Sequence, residues 1–149
     1  MPDWDVSLVT SMRELFFERT EFNQDLSSWN TESVTSMTAM FLEASSFNQD
    51  LSGWNTGSVT DMGYMFSGAI AFNGDISDWN TGSVTNMYSM FYDASSFNQD
   101  LSDWDVSQVS DNRFMWDGSA MQEDNKPCMD GGASSADLNW RDCQAETPP

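Results

Sequence analysis

Hydrophobic and polar residues recur along this chain with a period of 25. Tryptophan occupies one position of the period five times in succession, and phenylalanine precedes each of the last four tryptophans by seven residues. Self-similarity at this spacing is typical of repeat proteins, in which each unit buries its apolar face against its neighbours. We therefore expect these aromatic side chains to be structural repeat positions of a common core: Trp4, Trp29, Trp54, Trp79, Trp104, Phe22, Phe47, Phe72 and Phe97.

The polar positions keep the same register, and the unit reads F-N-x-D-[LI]-S-x-W-[ND]-[TV]-x-x-V-[TS]-x-M-x-x-M-F-x-x-A. One stretch of the second repeat has the i, i+3, i+4, i+7 spacing of a helix face: Met37, Met40, Phe41 and Ala44. Thr35 or Ser36 stands where a helix N-cap belongs. The D-[LI]-S segment predicts a short strand whose Leu or Ile points inward. The pattern therefore predicts an α/β solenoid with one short parallel strand and one short helix per 25-residue repeat.

The repeat boundaries divide the chain into two parts. Four repeats span 4–28, 29–53, 54–78 and 79–103, and a degenerate fifth spans 104–116, where Asn112 replaces the expected Met. We expect 1–116 to form the repeat region and 117–149 to form a C-terminal cap and tail, because the last unit otherwise exposes an apolar edge. Leu138 and Trp140 are candidates to cover that edge. The N-terminal edge shows no cap, so we expect a partner or missing residues to cover it.

The two cysteines, Cys128 and Cys143, both lie in the predicted cap. They cannot form a structural zinc site, which takes four cysteine or histidine ligands, because the chain contains no histidine. A local disulfide between them is one interpretation, and two free thiols in a reducing compartment is the other. The disulfide indicates an extracellular or cell-surface location, or an oxidising organelle lumen.

A resemblance to a known family follows from these repeats. Stretches such as VTSMTAMFLEASSFNQDLSGW resemble the BspA-like, leucine-rich-repeat-related surface-protein repeats of about 25 residues. Those repeats form a domain of unknown function in bacterial lipoproteins and are also common in marine microalgae. The resemblance covers residues 4 to about 116 and depends on the F-N-x-D-[LI]-S-x-W motif. It implies a right-handed, leucine-rich-repeat-like coil used for adhesion or protein–protein contact, and it implies no catalytic residues.

Composition excludes several function classes. The chain has 24 Asp and Glu residues against 5 Lys and Arg, a net charge of −19, which repels phosphate backbones and anionic membranes. No apolar run approaches the ~18–20 residues of a membrane span. Without histidine, and with equivalent acids in every repeat, the chain offers no differentiated acid–base pair, so we expect no enzyme and no cofactor. Lys and Arg are absent between Thr20 and Asn112. This acidic surface serves either solvation or contact with a basic protein partner or divalent cations.

Four aspartates occupy one position in successive repeats: Asp25, Asp50, Asp75 and Asp100. Carboxylates stacked at a strand spacing of ~4.8 Å raise one another's pKa and destabilise the stack. We expect hydrogen bonds from backbone N–H groups or neighbouring serines to offset this repulsion, with calcium bridging as the less favoured alternative. The asparagine after each repeat phenylalanine is expected to satisfy backbone groups at turns rather than to bind a ligand.

Two function classes fit these observations. The first is a non-catalytic protein–protein interaction or adhesion module of a surface or secreted repeat protein. The second is a small structural or linker subunit of a larger assembly, for example on the lumenal side of an organelle membrane complex such as a photosynthetic one. The resemblance and the predicted disulfide favour the first, and the uncapped N-terminal edge favours the second.

Overall fold

The computed structural model describes residues 4–128 and 140. Successive repeats lie on one another in register, and one residue of each repeat forms an isolated parallel β-bridge with the same position of the next repeat: Ser11, Ser36, Asp61, Asn86 and Asp111. In the described residues the sole helical element is a 3₁₀ helix, Glu123–Asn125, which follows the last repeat. The repeats are therefore built from turns and from contacts between neighbouring units.

The prediction of an α/β solenoid with one strand and one helix per repeat is wrong. The stretch predicted as a helix in the second repeat forms two successive β-turns. In the first, the Met40 N–H donates to the Met37 carbonyl at 3.1 Å, and the third residue, Ala39, has a φ of 54°. The second turn, over 41–44, repeats this arrangement with Glu43 at a φ of 61°. A left-handed residue in each turn interrupts a right-handed helix, so the helical hydrogen-bond ladder does not form.

The strand predicted at D-[LI]-S is also wrong. In the second repeat an Asp50 carboxylate oxygen accepts the Ser52 N–H at 2.8 Å, and this bond folds the segment into an Asx turn. The Leu51 side chain is fully buried, as expected, but its carbonyl accepts the nearby Trp54 N–H at 3.0 Å and the indole N–H of Trp79 at 3.0 Å. The Leu51 carbonyl is therefore satisfied by a turn and by a tryptophan side chain rather than by a strand partner.

Backbone hydrogen bonds alternate between the next repeat and the same repeat. Every second N–H from Met37 onward donates to a carbonyl 24 residues later, at 2.8–3.0 Å; the pairs are Met37–Asp61, Ala39–Gly63, Phe41–Met65 and Glu43–Ser67. Three of the intervening N–H groups donate to the carbonyl three residues back; the donors are Met40 and Ala44, each within its turn, and Leu42, across the junction of the two turns. Because these groups are paired, a backbone without helix or sheet can lie against an apolar core.

The core consists of columns of equivalent side chains. Neighbouring tryptophan rings are stacked with centroids 6.3–6.5 Å apart, and the four inner ones are only 3–4% exposed: Trp29, Trp54, Trp79 and Trp104. Phe47, Phe72 and Phe97 are fully buried, whereas Phe22 is partly buried. Trp4 is 55% exposed because, among the described residues, its ring stacks on Trp29 alone.

Candidate functional site

One surface of the repeat stack collects all three tyrosines of the chain. We call it the tyrosine face and define it by Leu42, Tyr64, Tyr88, Tyr92 and Phe114, which together line a shallow groove of about 540 Å³. Tyr64 and Tyr92 are each 40% exposed and Phe114 is 47% exposed, whereas Tyr88 is half-buried. Several large aromatic side chains are therefore exposed together on one surface, whereas the other aromatic side chains of these repeats are buried in the core.

The β-turns explain why these side chains point outward. In the second, third and fourth repeats the first and last residues of both turns are buried in the core, whereas several of the central residues are exposed. Tyr64 and Phe114 are third residues of such turns, with φ of 57° and 59°, and Tyr88 is a second residue. Tyr92 is the second residue of the following turn, over 91–94. Central turn positions of neighbouring repeats thus form one continuous surface.

The rings of the tyrosine face contact one another at open angles. The Tyr64 and Tyr88 centroids are 5.1 Å apart with planes tilted by 55°, and Tyr88 meets Phe114 edge to face at 5.7 Å and 81°. Desolvation raises the pKa of Tyr64 above its ordinary value of 10.0, and a hydrogen bond with the Tyr88 hydroxyl raises it further. The Tyr64 hydroxyl is thus protonated at neutral pH, and its ring stays uncharged.

A guanidinium group stacks on one ring of this face. The Arg113 Cζ lies 5.3 Å from the centroid of Tyr88. Arg113 also forms a two-pronged pair with Asp111, Nε to Oδ1 at 3.0 Å and Nη2 to Oδ2 at 2.7 Å. The hydrogen bonding from Arg113 is the largest cause of the lowered pKa of Asp111. The surface therefore holds a cation between an aromatic ring and a carboxylate.

Carboxylates border the groove. Glu43 and Asp117 are part of its lining, and both are exposed. The column that contains Glu43 continues as Gly68, Asp93 and Gly118, so an acidic residue alternates with a glycine. A Cβ added to Gly68 would lie 2.6 Å from the Glu43 carboxyl carbon, which means that Glu43 lies flat over the glycine. The glycines thus provide space for the Glu43 and Asp93 carboxylates and place a neutral repeat between them, whereas Glu18 and Glu43 stand in adjacent repeats.

The predicted aspartate column lies away from this face. One carboxylate oxygen of each member accepts the N–H of the serine two residues later, at 2.8–3.0 Å: Asp25, Asp50, Asp75 and Asp100. The pKa of Asp25 is lowered chiefly by the backbone bond from Ser27, and that of Asp50 chiefly by the Ser52 hydroxyl. Within the described residues, no three acidic or cysteine side chains are grouped to hold a metal ion. Calcium bridging stays a prediction.

The asparagine column contacts backbone groups of the next repeat. The side-chain oxygens of Asn23, Asn48 and Asn73 accept the N–H groups of Asn48, Asn73 and Asn98 at 2.8–3.0 Å. Gln49 adds a bond from its side-chain nitrogen to the Asn23 oxygen at 2.8 Å. These amides connect successive repeats through the backbone.

The predicted cap is described only in part. Leu138 and Cys143 lie outside the described residues, so the pairing of Cys143 with Cys128 stays a prediction. Trp140 is half-buried and packs against the core. In the part of the chain that the structure describes, no helix is long and apolar enough to cross a membrane.

Sequence reasoning missed the tyrosine face because its members occupy variable positions of the repeat. The consensus M-x-x-M-F-x-x-A describes the constant positions of the repeat. Its variable positions, written x, include Tyr64, Tyr88, Tyr92 and Phe114. The confinement of every tyrosine to such positions was the available signal.

Comparison with known proteins gave one family match. The model of a family described as "Mycoplasma protein of unknown function, DUF285" matches residues 1–75 and again residues 51–127. No curated protein and no solved structure matches the chain.

Proposed function

Because the chain belongs to the DUF285 family, whose description assigns no function, we propose from its own surface that it is a non-catalytic protein-interaction module of a surface or secreted repeat protein. The observation that supports this proposal is the tyrosine face. Tyrosine supplies a large apolar area together with a hydroxyl, at a small cost in side-chain entropy, and it is enriched in the binding centres of protein interfaces.

The position of the face within the repeat also favours binding. Core columns repeat the same residue type because every unit packs alike, whereas the central turn residues are free to vary. Tyr64, Ser89 and Phe114 share one column, and Leu42 and Tyr92 share another. A constant core that presents a variable surface is the usual design of repeat proteins that bind macromolecules.

We propose that the protein acts in adhesion, either outside the cell or in an oxidising organelle lumen. A Cys128–Cys143 disulfide would suit such a compartment, because disulfides persist where thiols are not kept reduced. The charge of −19 keeps an exposed aromatic surface soluble there.

A structural subunit of a larger assembly is the second candidate, and the first repeat favours it. Trp4, Leu15 and Phe17 are 39–55% exposed at this end of the described stack. In the later repeats, the carbonyls at the positions of Ser11 and Arg13 accept N–H groups from the preceding repeat. For example, the Ser36 carbonyl accepts the Met12 N–H at 2.9 Å. Such an edge fits another unit of similar build, from a partner or from the same polypeptide.

A photo-crosslinking experiment separates the two candidates. A benzophenone amino acid replaces Tyr92 in one variant of the full chain and Leu15 in another, and each is irradiated with extract from the native source. The interaction module predicts protein crosslinks from position 92 that an excess of unlabelled chain suppresses. Crosslinks from position 15 alone would favour the structural subunit, and crosslinks to glycans alone would contradict both.

A further inference from the structure

We propose that the tyrosine face binds an extended, arginine-bearing segment of a protein partner, with guanidinium groups laid against the tyrosine rings and paired with the bordering carboxylates. This inference rests on the proposed function and names the chemistry of its partner.

The chain itself provides the pattern for this contact. The Arg113 guanidinium lies over the Tyr88 ring at 5.3 Å while Asp111 accepts two of its N–H bonds at 2.7 and 3.0 Å. Arginine is suited to this arrangement because its planar group stacks on an aromatic face and still donates in its own plane. The contact therefore combines a ring above with a carboxylate at the side.

The rest of the groove lining also contains exposed rings and exposed carboxylates. Tyr92 is 40% exposed, and the exposed Asp117 belongs to the same lining. Tyr64 is also 40% exposed, and Glu43 belongs to the same groove lining. The groove thus offers two exposed tyrosine rings and two exposed carboxylates.

Charge complementarity selects the partner. Glu43 and Asp117 line the groove, the charge of Arg113 is paired with Asp111, and the net charge of the chain is −19, so an anionic ligand is repelled from the groove. An extended segment places alternate side chains on one side, which lets successive arginines reach successive rings. Tyr64, Tyr88 and Tyr92 also provide hydroxyl groups that can bond the backbone of that segment.

The test uses the full chain and a fluorescent extended peptide with arginine at alternate positions. Fluorescence polarisation compares it with peptides in which lysine, or the neutral isostere citrulline, replaces each arginine. The expected order is arginine, then lysine, with citrulline below detection. Equal binding of arginine and lysine peptides, or binding of citrulline, would overturn the proposal.

Matched variants then locate the contact. Tyr92→Ala and Asp117→Asn should each weaken arginine-peptide binding by roughly 3- to 30-fold, whereas Tyr92→Phe keeps the ring and should bind within about twofold of wild type. Leu8→Ala and Glu32→Gln remove an exposed apolar group and an exposed charge on other turns, and should change nothing. If Glu32→Gln weakens binding as much as Asp117→Asn, the attraction is only diffuse charge and the proposal fails.

The outcome separates this inference from the proposed function. Protein crosslinks at position 92 without arginine-peptide binding would leave the interaction module standing and reject the arginine-bearing partner. Loss of both would reject the two together.

Discussion

Asn112 is the clearest internal conflict in the core, and it yields a stability prediction. The four preceding repeats place Met12, Met37, Met62 and Met87 at this position, each at most 1% exposed. Asn112 is fully buried, and neither its side-chain oxygen nor its nitrogen has a hydrogen-bond partner. Burying a polar group removes its hydrogen bonds to water, and without a partner in the protein this loss lowers the free energy of unfolding. We therefore expect Asn112→Met to stabilise the protein.

The magnitude follows from two opposing contributions. Removing an unpaired buried carboxamide relieves about 1–3 kcal/mol. The longer methionine side chain requires space, and misfit in a packed core costs about 1–3 kcal/mol when it occurs. The first contribution should win, because both side chains have the same number of heavy atoms and methionine is flexible enough to fit an irregular gap. For a chain of this size each kcal/mol shifts the melting temperature by about 2–4 °C, so a rise of roughly 3–10 °C is expected.

Thermal unfolding followed by tryptophan fluorescence, with urea denaturation as a second measurement, tests this expectation. The reciprocal variant, Met87→Asn, places the same conflict one repeat earlier and should lower the melting temperature. If Asn112→Met melts at or below wild type while Met87→Asn is destabilised, the surroundings of Asn112 differ from the methionine column, and the reasoning is wrong. An unchanged urea m-value confirms that the variants differ in stability rather than in compactness.

Three further predictions concern the turns and the core. Gly68→Ala should destabilise the protein by about 1–2 kcal/mol, because Gly68 has a φ of +68° and the Glu43 carboxyl group occupies the space that a Cβ needs. In the control Gly53→Ala the new Cβ would lie 3.8 Å from the nearest atom, so that variant should be neutral or slightly more stable. Equal melting temperatures for the two variants would refute this. Trp54→Ala should cost about 3–5 kcal/mol and Trp54→Phe clearly less, by calorimetry; an unshifted Trp54→Ala melt would remove the tryptophan column from the core. Ser52→Ala should raise the lowered pKa of Asp50 in an NMR titration, because the serine hydroxyl is the largest cause of that lowering. A lowered carboxyl pKa stabilises the folded state at pH values above the unfolded pKa of about 3.9, and this contribution is lost as the pH falls through the folded pKa. Wild type and Ser52→Ala should therefore have the same melting temperature in strong acid. A difference in melting temperature that persists there would contradict this linkage.

The period and the buried columns could be predicted from the sequence, but the local backbone could not. Met37, Met40, Phe41 and Ala44 recur at the spacing of a helix, and two successive β-turns produce the same spacing because each turn also returns the chain to the core after three residues. The distinguishing signal is weak, since among the described residues glycine stands at just two of the left-handed positions, Gly68 and Gly118. Elsewhere Glu43 or Ala39 adopts a positive φ, which no residue preference would have indicated.

The candidate site was harder to predict for a different reason. Tyr64, Tyr88 and Tyr92 stand at repeat positions that face away from the core in a helix as well, and Tyr88 and Tyr92 are four residues apart, so the shared side could be predicted. The contact between rings of neighbouring repeats, such as Tyr64 and Tyr88 at 5.1 Å, could not, because it depends on how the turns stack. The aspartate column shows the opposite case, because the bond from Ser52 to Asp50 is local and follows from spacing alone.

The alternation of backbone bonds between repeats has a mechanical consequence. Every bond that joins Met37, Ala39 and Phe41 to the next repeat runs along the stacking direction, so a force applied at the two ends acts equally on every layer, and the weakest layer detaches first. Detaching one layer releases 25 residues, which extend to about 85 Å, while the layer itself contributes about 4.8 Å of thickness. A stack built in this way lengthens by more than tenfold in discrete steps as its layers detach, and each step limits the load on the molecules at its ends.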